Sequence, residues 1–174
     1  SHDVILVTVN YRVGVFGFYA DPVLTKVNTF HTTGNYGLLD QIMALQWVYD
    51  NIDAFHGDRN RITVFGQSAG AMSTQALITS PLTKGLIHSA IFQSGAGVEN
   101  GITRTKKMSD AYHTGDLIRK LCKVKNVNAL RKLDASKLVS ILPELYKECG
   151  GLAFGPVNDG YLLQEDMDVA AKNG

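Results

Sequence analysis

Cysteine is scarce: Cys122 and Cys149 are the only two in 174 residues. Two are too few for a disulfide scaffold, and they leave two readings open, one bridge or two free thiols. Net charge is nearly absent as well, at +1, so no global field draws the chain toward nucleic acid or an acidic membrane surface. No apolar run approaches the roughly 20 residues of a membrane span. No His/Cys/Asp/Glu group has metal-ligand spacing and no glycine-rich loop suits a nucleotide phosphate, so neither metal nor cofactor is expected. What is present, 45% hydrophobic and 19% charged residues, is the balance of a folded globular chain that fits one domain.

The apolar pattern predicts an alternation of strands and helices. Val4–Asn10 (VILVTVN) is a continuous β-branched run, which reads as a strand buried on both faces of a parallel sheet. Tyr11–Ala20 keeps apolar character but holds Gly14 and Gly17, and reads as an irregular connection. Asp21–Gly34 reads as a polar loop. Leu38–Phe55 carries apolar residues at 38, 42, 45, 49, 52 and 55 with Gly57 just beyond, the pattern of a helix and its stop. A strand Ile62–Phe65, a helix Ala69–Thr79 ended by Ser80-Pro81, and a strand Ser89–Gln93 follow. This order predicts an α/β fold with a mostly parallel sheet and flanking helices.

Beyond Gly101 the character changes. Between Gly101 and Lys147 there are 11 basic and 4 acidic residues, so a surplus of positive charge is gathered in one stretch. It reads as amphipathic helices near 109–122, 128–133 and 135–146, the last behind Asp134 as N-cap and interrupted by Pro143. The charge reads as the solvated face of peripheral helices, with an anionic partner as the alternative. Gly150–Gly160 reads as an ordered loop.

The chemistry is concentrated in Gly66-Gln67-Ser68-Ala69-Gly70, a G-x-S-x-G turn between a strand and a helix. That is the context of a nucleophile elbow, in which a serine on a sharp, strained turn has its hydroxyl pushed out of the sheet. Gly66 and Gly70 keep side chains out of the space such a turn consumes. The helix that starts after Ser68 aims free N–H groups and a positive dipole end at the same place. A bare G-x-S-x-G also occurs as an ordinary turn, so the pentapeptide alone does not decide the matter.

Five ordered stretches together do. Val7–Phe18 (VTVNYRVGVFGF), Gly34–Gln41 (GNYGLLDQ) with Ala44–Val48 (ALQWV), Asn51–Phe55 (NIDAF) leading to the elbow, Phe92–Gly95 (FQSG) and Phe154–Gly160 (FGPVNDG) resemble landmarks of the type B carboxylesterases. These are the cholinesterase-like branch of the α/β-hydrolases, and bacterial members of the para-nitrobenzyl-esterase type look closest. The resemblance covers residues 1–174, densely to Gly95 and loosely from Gly101 to Gly150. It implies one partial α/β-hydrolase domain over 1–174, with a sheet core and elbow in 1–95 and a peripheral helical segment in 101–150.

The resemblance also implies a reaction. Ser68 is the expected nucleophile in ester hydrolysis through an acyl-enzyme, and the backbone N–H of Ala69 the expected oxyanion donor. The expected partners are a small-molecule ester and, to complete the sheet, the remainder of the same protein or another copy. The family's Gly-Gly oxyanion segment precedes the VTVNYR-like strand, and its acid and histidine follow the FGPVNDG-like loop. Only 14 residues follow Gly160 and none is His, so the chain reads as an internal fragment. His88 and His113, the histidines after Ser68, have no family counterpart as the base; His2, His31 and His56 read as loop or surface residues.

Three departures stand out. Gln67 replaces the usual Glu before the nucleophile, and His56-Gly57-Asp58-Arg59 replaces Gly-Gly-Asp-Pro. Cys122 lies at the first position of a disulfide loop common in secreted animal members, but Ala129 stands where its partner is expected; this implies a reduced, cytoplasmic protein. The alternatives to an ester hydrolase are a non-catalytic cholinesterase-like binding or adhesion protein, and a serine hydrolase of amides or thioesters.

Overall fold

A computed structural model describes residues 4–97 and 105–173. His2 and the start of the basic segment, 101–104, lie outside the described residues. Helices α1 (Gly14–Phe18), α2 (Pro22–Val27) and α3 (Tyr36–Asn51) precede strand β1 (Thr63–Gln67), helix α4 (Ala69–Ile78) and strand β2 (Ser89–Gln93). A short strand β3 (Lys106–Lys107), helices α5 (Met108–Leu121), α6 (Val127–Leu130), α7 (Ala135–Ser140) and α8 (Leu142–Glu148), strand β4 (Val157–Asn158) and helix α9 (Met167–Asn173) complete the order.

The unit that positions the site is β1–α4–β2. Its strands pair in parallel, Thr63 opposite Ser89 through to Gln67 opposite Gln93, as a helical crossover requires. β-Branched and aromatic residues (Thr63, Val64, Phe65) favour the extended backbone of β1. Helix α4 buries Ala71, Thr74, Gln75, Ala76 and Leu77. Helix α3 buries Leu38, Gln41 and Leu45 at helical spacing, then tightens into a 3₁₀ turn over Ile52–Phe55 that ends on left-handed His56.

The helical segment makes the largest core. Ile118, Val127, Leu130, Ile141 and Leu145 pack with Val15, Tyr19 and Leu24. Asp21 ties the two sides together. Its carboxylate is 1% exposed and accepts from the Arg119 guanidinium, the Tyr19 hydroxyl and the Val23 N–H. Burial pushes the Tyr19 phenol up to about 12, with the Arg119 hydrogen bond opposing. A second core joins Leu38 and Ala76 to Leu162, Leu163 and Met167.

Several sequence expectations need correction. Val4–Asn10 is not a strand among the described residues: it has no ladder partner, and Val4 and Leu6 are 79% and 67% exposed. The run has strand propensity but no neighbouring edge to bond. The Tyr11–Ala20 connection contains α1. Asp21–Gly34 is not all loop, since Asp21 caps α2 by accepting from Val23 N–H at 2.8 Å and Pro22 supplies its first residue. Asp134 stands at the N-cap of α7 without a capping side-chain bond. The predicted 135–146 helix is two helices, with Pro143 in the first turn of α8. Cys122 and Cys149 are free thiols.

Candidate active site

Ser68 carries the backbone signature of a sharp strand-to-helix turn, φ 51° and ψ −115°. A non-glycine residue with such a φ is strained and persists only where its surroundings over-determine it. Four contacts do so. The Ser68 N–H donates to the Gln93 carbonyl at 2.8 Å, and the Ser68 carbonyl accepts from Met72 N–H at 3.1 Å. Gly66 lies so close to the far side of the turn that a Cβ there would sit 2.3 Å from the Gly70 carbonyl carbon. A Cβ on Gly95, just after β2, would sit 2.5 Å from the Ser68 carbonyl oxygen. Gly70 behaves differently from the expectation: a Cβ there meets nothing within 4 Å, so the turn uses its backbone and not its missing side chain.

Ser68 and Ala69 are brought together, both exposed. Ala69 opens α4, so its N–H has no intrahelical acceptor and points out of the positive helix end. The Ser68 hydroxyl has no hydrogen-bond partner among the described residues.

No histidine reaches it there. His88 donates its backbone N–H to Ile62 at the start of the sheet, one whole five-residue strand away from Gln93, or roughly 17 Å at about 3.3 Å per residue. His113 is exposed on α5. His31 and His56 occupy left-handed turn positions. Among the described residues no group of three or more His, Cys, Asp or Glu could hold a metal ion, and no helix is long and apolar enough to cross a membrane.

The edge of β1 away from β2 is open. The Ile62 carbonyl and the Ser68 N–H both face β2, and in a parallel pair alternate residues face the same neighbour. Thr63, Phe65 and Gln67 therefore turn their N–H and C=O groups the other way. There Thr63 and Phe65 border a slot of ≈ 850 Å³ whose opposite wall is Val4–Val9. The slot floor includes Leu45, Thr74 and Leu77, and Gly70 lines it near the elbow.

Two further polar links tie the surrounding elements together. Arg12, two residues past the Val4–Asn10 run, grips Asp40 of α3 through its backbone N–H, Nε and Nη2 at 3.0, 2.8 and 2.7 Å. These bonds hold the Asp40 carboxyl below the usual carboxylate range, against some desolvation. Gln75 of α4 is buried and bridges Gly97 and Asp168. Of the aromatics that could line a pocket, Phe16 and Tyr19 border a separate cavity of ≈ 490 Å³, Tyr11 borders the slot, Phe18 packs on the second core and Phe30 stacks on Tyr161 at 4.6 Å.

Comparisons with known proteins point the same way as the turn. The sequence model of the carboxylesterase family matches residues 1–174. The chain is 38% identical over 174 residues to fumonisin B1 esterase of Sphingopyxis macrogoltabida, covering 97% of this chain and 31% of that protein. It is 38% identical over 176 residues to human neuroligin-3, covering 99% of this chain and 20% of that one. Among solved structures, a thermophilic PNB esterase superposes with a TM-score of 0.83 at 34% identity, covering 95% of this chain and 33% of that chain. The chain thus spans a third or less of the length of these relatives, and its parallel strands and flanking helices are part of an α/β-hydrolase fold. With every residue inside the family match and an esterase as structural neighbour, this chain belongs to the carboxylesterase family.

Proposed function

We propose that this chain supplies the nucleophile, Ser68, and one oxyanion donor, the Ala69 N–H, of a serine carboxylesterase acting on small or aryl carboxylic esters. The observation that carries this reading is the Ser68 backbone at φ 51° and ψ −115° between a strand and a helix, a strained turn that leaves Ser68 exposed. Ser68 Oγ attacks the ester carbonyl while a base takes its proton. The negative charge that forms on the carbonyl oxygen is met by the Ala69 N–H, a donor whose loss costs about 10²–10³ in rate. Collapse of the tetrahedral species breaks the C–O bond to the alcohol, and water then releases the acyl group. The histidine, the acid and the remaining oxyanion donors come from outside these residues.

The slot belongs to the same reading. Two extended, β-branched walls with unbonded main chain favour an added strand between them, from the remainder of the protein or from another copy. The complete protein, not this chain alone, is therefore the active species. Hydrolysis of p-nitrophenyl acetate tests the reading: the complete protein turns over, Ser68→Ala loses at least about 10³-fold, and residues 1–174 alone are inactive. A complete protein with no turnover favours the binding or adhesion alternative, and turnover surviving Ser68→Ala overturns the nucleophile assignment.

A further inference from the structure

The turn at Ser68 rests on a second strained segment. Directly after β2, Ser94, Ala96 and Gly97 all have positive φ, 52°, 67° and 108°. Between them Gly95 presses on the Ser68 carbonyl oxygen and on the Ala71 side chain, where a Cβ would sit 2.5 and 3.1 Å away. Consecutive left-handed residues hold only where something outside the loop fixes them. The far end of this loop is fixed by Gln75: its Oε1 accepts the Gly97 N–H at 3.0 Å. Its Nε2 donates to Asp168 Oδ1 at 3.4 Å, in the first turn of α9.

The orientation of the amide follows from its two neighbours, since only the NH₂ end can face a carboxylate and only the oxygen can face an N–H. Gln75 is 4% exposed and lies on the same helix that Ala69 opens. One rigid side chain thus joins the helix that begins at the nucleophile, the strained loop pressed against the nucleophile's back, and the C-terminal helix.

We infer that Gln75 is a positioning residue for Ser68: by clamping Gly97 it keeps the Ser94–Gly97 loop seated against the elbow, and Asp168 holds the clamp in register. The inference rests on the esterase reading of Ser68. Nothing in the local sequence announces it, because Gln75 and Asp168 are 93 residues apart.

The test is the pre-steady-state burst of p-nitrophenol from the complete protein. Burst amplitude counts correctly folded sites, and the burst rate constant reports acylation at each of them. Gln75→Met keeps the side-chain length and removes both hydrogen bonds. Displacing a reacting group by a fraction of an ångström costs about tenfold in rate, so the acylation rate constant per titrated site falls about tenfold while KM holds. Asp168→Asn, which retains an accepting oxygen without the charge that strengthens the bond, lowers it about two- to threefold. The second variant also serves where Gln75→Met yields too few folded sites to titrate.

A reduced amplitude with an unchanged rate constant in both variants overturns the inference, because Gln75 then only helps the fold. If the unsubstituted complete protein releases no p-nitrophenol at all, in a burst or in steady turnover, the esterase reading falls and this inference with it. A normal burst from the unsubstituted protein together with unaltered rate constants in the variants overturns this inference alone.

Discussion

The helical half of the molecule finishes its own packing, and the sheet half does not. Around α5–α8, Ile118 and Leu145 are fully buried, and most of their partners come from the same forty-odd residues, with Val15, Tyr19 and Leu24 closing the core. In the sheet half, Phe65 and Ile91 in the centres of β1 and β2 are 55% and 50% exposed, and one edge of β1 faces an open slot. The difference is one of contact range. Amphipathic helices bury an apolar stripe against near neighbours in sequence, whereas a parallel strand needs a partner delivered by a distant crossover. The half that carries Ser68 is the half whose sheet has an open edge.

Stability measurements on residues 1–174 sharpen this contrast. The largest effect is expected in the helical half, where Leu145→Ala costs about 2–5 kcal/mol by urea unfolding; a cost below about 1 kcal/mol would break the contrast. Gly66→Ala comes next, at about 2 kcal/mol or more, because its new Cβ must displace the Gly70 main chain. Gly70→Ala, by comparison, gains about 0.5–1 kcal/mol from helix propensity. Since Gly70 lines the slot, the same change lowers esterase turnover in the complete protein if a strand fills it.

Phe65→Ala costs less than about 1 kcal/mol in residues 1–174 and about 3 kcal/mol or more in the complete protein. Equal costs in the two would remove the case for a strand in the slot.

The smallest effect is electrostatic and pH-dependent. Arg12 holds Asp40 below the ordinary carboxyl range, chiefly by its side-chain hydrogen bonds. A carboxyl with a depressed folded value contributes stability above its unfolded value, and that contribution fades as pH falls through the folded value. The Arg12 side chain is half exposed, so the pair stabilises by only about 0.5–1 kcal/mol. Arg12→Leu should therefore lower stability by that amount at neutral pH. The difference should close as pH drops from about 4 downward, read from urea midpoints of both proteins across that range.

What the sequence reveals follows the same division between local and remote. The Ser68 turn is legible because its strain is local: a β-branched strand, two glycines and an apolar helix lie within nineteen consecutive residues, Arg61–Thr79. The helical character of 109–146 is legible too, although the split of 135–146 into α7 and α8 is not. The Val4–Asn10 run has the propensity of a strand, but a strand also needs an edge, and propensity cannot supply one. Helix α2 escapes a periodicity reading because six residues are too few to show a period, although Asp21-Pro22 is a start signal in itself. Gln75 is illegible for another reason. A lone polar residue on a buried helix face has no pattern, and its partners Gly97 and Asp168 are chosen by tertiary structure.

In the proposed function, Ser68 is a nucleophile whose reactivity is completed by chain beyond residues 1–174. Covalent labelling with a fluorophosphonate, mapped by peptide mass, tests it most directly. One adduct is expected, on Ser68, in the complete protein, with its loss in Ser68→Ala and no adduct on residues 1–174 alone. An unlabelled complete protein, or an adduct on any other residue, would contradict it.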